Sequence, residues 1–302
     1  MIKIKRRKFL VQTAAGFGGV LIGTNLGQSS PSDSNTFNPY ERVLLGKTGL
    51  MVSRIGLGTG TRGSRRESNH TRLGKEKFSY LLRHAYDRGV RLFDLADLYG
   101  SHPYLIPALD GLPRDAYTIV TKIWFRRGGI PEPDRPPADQ VVKRFLKEIN
   151  TEYIDLVLLH CVISERWNEE QSSHMELLQK LKQQGIIRAH GVSCHSLAAL
   201  KTAAREPWVD SVHTRINAYG DKMDDAPENV VPVLEKIHRA GKGVIGMKLI
   251  GEGMYRNDDE KRNRSLDYVL NLGYVDSLVV GCESVAELDD LAARIAGTSK
   301  KV

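Results

Sequence analysis

The sequence predicts an α/β fold, a single-domain (β/α)8 barrel, on three observations. Short apolar runs alternate with longer amphipathic runs over about 245 residues, and eight such units follow one another at a mean period near thirty. Several of the longer runs also end in a glycine, the residue that most readily closes a helix. Alternation of this kind favours a parallel sheet covered by helices, and eight units in one run favour a closed barrel over an open doubly wound sheet.

Each element can be justified in order. Arg42 to Leu45 and Leu50 to Ser53 flank Gly46-Lys47-Thr48-Gly49 and read as a small hairpin. The barrel strands are then expected at Ile55 to Gly58, Leu92 to Asp94, Thr118 to Lys122, Ile154 to His160, Ala189 to Ser193, Val212 to Ile216, Gly243 to Lys248 and Ser277 to Val280. Helical patterns lie between them at Lys75 to Arg88, Asp139 to Ile149, Met175 to Gln184, Asn229 to Ala240, Ser265 to Leu272 and Ser284 to Ala296. Gly89, Gly185, Gly241, Gly273 and Gly297 are expected to end helices at positive φ. In such a barrel, reactive groups belong at the C-terminal ends of strands, which gives every candidate residue a positional test.

The chain has 302 residues, with 44 Lys plus Arg against 36 Asp plus Glu, a formal charge of +8. A balance that basic raises a nucleic-acid reading, which the distribution of charge removes. Lys3, Lys5, Arg6, Arg7 and Lys8 carry five of the charges within residues 1–30, where no acid occurs, so the remaining 272 residues carry +3. A composition 41% hydrophobic and 26% charged excludes disorder, collagen and a multi-span membrane protein. Three cysteines, at 161, 194 and 282, are an odd number spread along a long chain and make no disulfide framework.

The first thirty residues read as an address. A basic stretch ending in Lys5-Arg6-Arg7-Lys8-Phe9-Leu10 precedes a weakly apolar run from Phe9 to Gly23. The pair Arg6-Arg7 followed by Phe9-Leu10 resembles the twin-arginine export signal, which implies the twin-arginine export machinery as a partner and a periplasmic destination, with a membrane tether if the signal stays uncleaved. As a helix the apolar run would span roughly 22 Å against a hydrocarbon core of roughly 30 Å, so no stable membrane span is expected. Residues 31–40 are expected to form a linker, overlapping a Ser-, Pro- and Asn-rich stretch from Gln28 to Asn38 that reads as solvated, and residues 41–302 the barrel.

Three motifs are discounted. Gly58-Thr59-Gly60-Thr61-Arg62-Gly63 fits the glycine pattern of a dinucleotide-binding turn, but a polar loop, Ser64-Arg65-Arg66-Glu67, follows where an apolar helix should start. Gly46-Lys47-Thr48 resembles the end of a P-loop, yet Glu41 stands where the first glycine belongs. His160-Cys161 and Cys194-His195 supply no spaced cluster of three or four ligands, and neighbours on a strand point to opposite faces, so no metal is expected.

The chemistry is expected from four polar residues at strand ends. Asp94 closes the second barrel strand, with Tyr99 in the loop five residues on; Lys122 closes the third strand and His160 the fourth. A tyrosine serves as a general acid near neutral pH when a nearby ammonium lowers its pKa, the task expected of Lys122, with Asp94 as the counter-charge. His160 is then free to donate to a substrate carbonyl oxygen.

Phe93-Asp94-Leu95-Ala96-Asp97-Leu98-Tyr99-Gly100 resembles the signature of the aldo-keto reductases, with Leu95 in place of the usual threonine. The resemblance covers about residues 40–296 and extends to the Leu45-Gly46-Lys47-Thr48-Gly49-Leu50 hairpin, Gly56-Leu57-Gly58-Thr59, Lys122, Leu158-Leu159-His160, Gly191-Val192-Ser193 and Val279-Val280-Gly281. It implies hydride transfer from NADPH or NADH to a small aldehyde or ketone, with Asp94, Tyr99, Lys122 and His160 as the catalytic tetrad. It also implies a cofactor site at Gly58, Thr59, Ser193, Cys194, His213, Met247, Lys248, Gly281, Cys282 and Glu283. In the family's usual pattern an asparagine stands at Cys194, a glutamine at His213 and an aromatic residue at Met247. NADP is the family's commoner choice, which Lys248 favours and Glu283 opposes. A branch of the family with Cys-His after the fifth-strand serine and Met-Lys in the seventh strand is also similar. The chain ends at Val302, so specificity is expected from the loops Trp124–Pro137 and Cys161–Ser173, with Trp124, Phe125 and Trp167 as pocket walls. Two rival readings stay open: an exported nicotinamide-binding sensor with little turnover, and a cofactor-free lyase or isomerase using Tyr99 and His160.

Overall fold

A computed structural model describes residues 35–301. Its core is a closed barrel of eight parallel strands: β3 (Ile55–Gly58), β4 (Leu92–Asp94), β5 (Thr118–Ile123), β6 (Ile154–Val162), β7 (Ile187–Cys194), β8 (Ser211–Arg215), β9 (Gly243–Met247) and β10 (Ser277–Val280), the last pairing with β3. An antiparallel hairpin, β1 (Arg42–Leu44) and β2 (Met51–Ser53), precedes it in a separate sheet. The helices are α1 (Asn69–Arg72), α2 (Lys75–Arg88), α3 (His102–Ala108), α4 (Ala138–Ile149), α5 (Trp167–Glu170), α6 (Ser172–Gln183), α7 (Leu197–Arg205), α8 (Pro227–Arg239), α9 (Asp259–Leu270) and α10 (Val285–Ala296).

The period-2 pleat divides the buried side chains into two cores. Leu92, Val120, Leu156, Leu158, Ala189, Ile245 and Val279 point inward and pack together with Leu45, Leu50 and Val52, so the hairpin plugs the barrel. Residues of the opposite parity, among them Phe93, Val157, Leu159, Val192, Val212 and Val244, meet the apolar faces of the helices, such as Phe145 of α4 and Leu234 of α8. The inward parity then continues one step beyond the leucine and valine layer. On β4 it runs from Leu92 to Asp94, on β5 from Val120 to Lys122, and on β6 from Leu158 to His160. An apolar floor therefore carries a polar layer at the C-terminal ends of the strands.

Four of the five expected glycine caps take positive φ: Gly89 at 115°, Gly185 at 74°, Gly241 at 81° and Gly273 at 73°. Gly297 does not; its φ is −85°, and the end of α10 closes with ordinary right-handed geometry. Helix α9 starts at Asp259, six residues before the apolar pattern begins, because the Asp258 carboxylate accepts from the Lys261 N–H and caps a polar first turn. Residues 35–40 are not a solvated linker. Phe37 is buried in the outer core, its N–H donates to Thr298 O at 3.2 Å, and Lys300 N–H donates to Asn35 O. The expected export signal, residues 1–30, lies outside the described residues. Among the described residues no helix is long and apolar enough to cross a membrane.

Candidate active site

Asp94, Lys122 and His160 arrive on the inward parity of three adjacent strands, and the loop after β4 brings Tyr99 over them. Lys122 Nζ donates to Asp94 Oδ1 at 2.5 Å and to Leu95 O at 2.9 Å, with both side chains almost wholly buried. Burial alone would push the Asp94 carboxyl up, but Lys122 and His213 outweigh it and hold it below the ordinary range. Burial lowers the Lys122 ammonium, against the opposing pull of Asp94.

The Tyr99 hydroxyl pairs with His160 Nε2 at 3.4 Å, and the two rings meet edge to face at 5.5 Å. Lys122 Nζ lies 5.1 Å from the Tyr99 ring centroid. The expectation that Lys122 lowers the tyrosine's pKa is corrected here: burial first, and Asp94 second, push the phenol well above its usual value. The reason is that the ammonium is already engaged by Asp94 and Leu95 O. Tyr99 is thus held as a neutral phenol, the protonated form a general acid must have. Burial and then Lys122 keep His160 neutral. Its Nδ1 has no partner, so the single ring proton is assigned to Nε2, facing the tyrosine hydroxyl.

The loop Gly58–Gly63, read from sequence as a failed phosphate turn, forms the wall behind Tyr99. A Cβ on Gly60 would sit 2.2 Å from Tyr99 Cζ, and one on Gly63 2.4 Å from Tyr99 Cδ1. Only glycine lets the backbone lie against that ring. Asp97, in the same signature segment, pairs instead with Arg66 at 3.1 Å and Arg144 at 2.8 Å and anchors the loop.

A cleft of about 550 Å³ opens beside Tyr99 and Asp94, large enough for a cofactor. Gly58, Met247, Lys248, Gly281, Cys282 and Glu283 line it. Other expected cofactor residues lie elsewhere. Thr59 is buried, its Oγ1 donating to Asp94 O at 2.8 Å. Cys194 has outward parity and packs in the outer core, where burial raises its thiol. His213 faces inward but bonds Asp94 Oδ1 at 2.9 Å. Ser193 also faces inward, and its buried Oγ has no partner. That orphaned inward hydroxyl, on the strand end next to His213, is the kind of group a nicotinamide amide would satisfy.

Several of the charges in the cleft are paired. Lys248, at φ 63°, donates to Glu252 Oε1 at 2.7 Å, so its charge is not free for a cofactor phosphate. Glu283 accepts from Asn69 Nδ2 at 2.7 Å, and Arg256 bonds Glu287. Glu287 Oε2 accepts the Glu283 N–H at 2.8 Å, so a carboxylate occupies part of the α10 N-terminus, where free N–H groups would otherwise suit a phosphate.

Sequence reasoning missed a second cluster. Cys161 follows His160, yet both reach the mouth because β6 breaks register between Leu159 and Val162 and Cys161 takes φ 61°. Its Sγ lies 3.4 Å from His195 Nε2, and Arg215 bonds His195 Nδ1. Burial, then the Arg215 charge, lowers the His195 imidazole to about 3, while burial raises the Cys161 thiol to about 11, so both are neutral. Of the expected pocket walls, Trp124 stands edge-on to His160 at 5.5 Å, whereas Trp167 is a core side chain whose Nε1 donates to Ala199 O.

Comparison with known proteins places this geometry in context. The model of the Aldo/keto reductase family matches residues 54–300. A Glycine max protein named "Probable aldo-keto reductase 1" is 26% identical over 221 residues, 70% of this chain and 60% of its own length. An uncharacterized oxidoreductase of Bacillus subtilis is 27% identical over 235 residues, 74% of this chain and 72% of that protein. Among solved structures, the holo form of an aldo-keto reductase from Bacillus halodurans superposes with a TM-score of 0.70 at 20% identity, covering 87% of this chain and 93% of that one, a likeness of fold.

Proposed function

The chain belongs to the aldo/keto reductase family, and from that premise we propose that it reduces an aldehyde or ketone with NADPH or NADH, Tyr99 acting as general acid. The observation that carries this reading is the Tyr99 hydroxyl held 3.4 Å from His160 Nε2, above the buried Lys122–Asp94 pair and at the edge of the cleft. Gly58, Ser193, Met247 and Gly281 are the residues that would hold the cofactor, whose chemistry when bound is hydride donation to the carbonyl carbon. His160 Nε2–H donates a hydrogen bond to the carbonyl oxygen and orients it. Tyr99 gives the same oxygen its proton as negative charge develops there, and hydride plus proton make the alcohol. The Lys122 ammonium then faces the phenolate left behind, which is where its charge counts. Solvent returns the proton.

The test is oxidation of NADPH and NADH by the purified protein over a panel of aldehydes and ketones, with Tyr99→Phe as the control. The variant is expected to lose about 10²–10⁴-fold in kcat while still binding cofactor. A Tyr99→Phe protein as active as wild type, or no change in nicotinamide fluorescence on mixing, overturns the reading. Cofactor binding without turnover on any carbonyl would point to the nicotinamide-binding sensor instead. The twin-arginine motif at Arg6-Arg7 supports export with the barrel already folded. Replacing both arginines by lysine should retain the protein in the cytoplasm, and unchanged fractionation would remove that proposal.

A further inference from the structure

The residue that fits its expected task least well is His213. The resemblance assigns it to the cofactor site, yet its ring is fully buried, with Nε2 2.9 Å from Asp94 Oδ1. The same oxygen takes the Lys122 ammonium at 2.5 Å. His213 Nδ1 is buried without a partner. A neutral ring with its proton on Nε2 satisfies the carboxylate and strands only a lone pair. A doubly protonated ring would bury an N–H with no acceptor and set a second cation beside Lys122, so the neutral donor is the state this packing selects.

We propose that His213 is a positioning residue, a neutral hydrogen-bond donor that shares Asp94 Oδ1 with Lys122 and so keeps the carboxylate from fully cancelling the ammonium beside Tyr99. This rests on the reductase reading above. Without the donor, Asp94 has only Lys122 to answer its charge. The pair tightens, less positive potential remains at the tyrosine, and the Asp94 charge acts on the phenol more strongly. Asp94 and Cys161 are the groups that raise Tyr99, Lys122 and Asp94 those that act on His213, and Lys248 also bears on Lys122. The effect of His213 reaches Tyr99 through Asp94, so a role at the cofactor predicts different behaviour.

The experiment compares full-length wild type, His213→Leu and His213→Gln by nicotinamide fluorescence titration and by the pH profile of kcat. His213→Leu should lose about tenfold in kcat and move the alkaline limb upward, with the cofactor Kd within about twofold. His213→Gln, whose amide N–H can reach the same oxygen, should recover most of both. A tenfold weaker Kd with the limb unmoved would overturn the proposal in favour of cofactor contact, and no change in either would reduce His213 to packing. Nitrogen-15 NMR of the wild-type histidines needs no turnover: a neutral Nε2–H ring is expected from about pH 5 to 8, and a ring that protonates near the usual value of about 6.5 overturns the proposal. Absence of wild-type turnover condemns the reductase reading alone, since the NMR result still decides the state of His213.

Discussion

Gly60→Ala is the substitution whose consequence can be worked most directly from the coordinates. Gly60 is not among the positive-φ glycines, so its backbone accepts alanine. The added methyl would stand 2.2 Å from Tyr99 Cζ and 2.3 Å from Cε2, where carbon atoms settle at about 3.5–4.0 Å, so ring or loop must yield by more than about 1 Å. The hydroxyl at the end of that ring already meets His160 at 3.4 Å, near the limit of a hydrogen bond. A displacement of about 1 Å at reacting groups costs about 100-fold, or about 2.7 kcal/mol of transition-state stabilisation. The assay is kcat/KM for carbonyl reduction, with circular dichroism to show that the barrel is intact. Gly297→Ala serves as the control, because its nearest contact is an ordinary 3.5 Å at φ −85°. A Gly60→Ala protein within about threefold of wild type would refute the claim that this glycine fixes the position of Tyr99.

Three other outcomes are expected. Burial would raise the Glu148 carboxyl, but hydrogen bonds from His102 and Arg144 bring it down to about 2, so its contribution to stability is present above an unfolded pKa of about 4.3 and is lost as pH falls toward 2. With its partial exposure discounted, Glu148→Gln should cost about 1 kcal/mol at pH 7, or about 2–4 °C in Tm, and progressively less below about pH 4; a deficit as large at about pH 2 as at pH 7 contradicts the linkage. Glu283→Gln with Glu287→Gln removes both carboxylates that Arg256 meets beside the cleft and should improve NADPH binding over NADH about fivefold, a gain of about 1 kcal/mol, whereas an unchanged ratio in fluorescence titration would show that Arg256 does not reach the cofactor. Lys122→Met alone should destabilise by about 3–5 kcal/mol because it removes the cation that answers the buried Asp94 charge, while Asp94→Leu with Lys122→Met should recover most of that loss in chemical denaturation, short of wild type because the His213 N–H is left unpaired; a double variant as unstable as the single one would make the pair structural.

The barrel was legible because its signal is repeated eight times. Ile55–Gly58, Leu92–Asp94 and Ser277–Val280 appear with the expected bounds, since apolar strands buried on both faces stand out from polar loops. Helices α3 and α7 were not expected. The first is short and contains Pro103 and Pro107, and the second is a nine-residue helix whose buried face is largely alanine. At the site, parity could have gone further than motif matching. Ser193 and His213 share the inward parity of Lys122, and Cys194 does not, which already assigns Cys194 to the outer core. What no pattern carried is the register break at Cys161, because a bulge is a property of pairing and not of one strand's sequence. Nor could spacing reveal that the Lys122 charge is answered before it reaches Tyr99, since that depends on which Asp94 oxygen each donor meets.

The two inward layers set stability against chemistry. The lower one, Leu92, Val120, Leu156, Leu158, Ala189 and Ile245, has no polar side chain to satisfy and needs none. Above it on the same inward parity stand Asp94, Lys122, His160, Ser193 and His213, every one buried, in a place where further aliphatic residues would pack at no desolvation cost. Asp94 takes both Lys122 and His213 on one oxygen, while His160 Nδ1, His213 Nδ1 and Ser193 Oγ go without a partner. A layer chosen for stability would satisfy its donors and acceptors internally. This one leaves those buried atoms unsatisfied and sets its one strong ion pair beneath a neutral tyrosine, where the Lys122 charge counts once negative charge develops on the phenol oxygen.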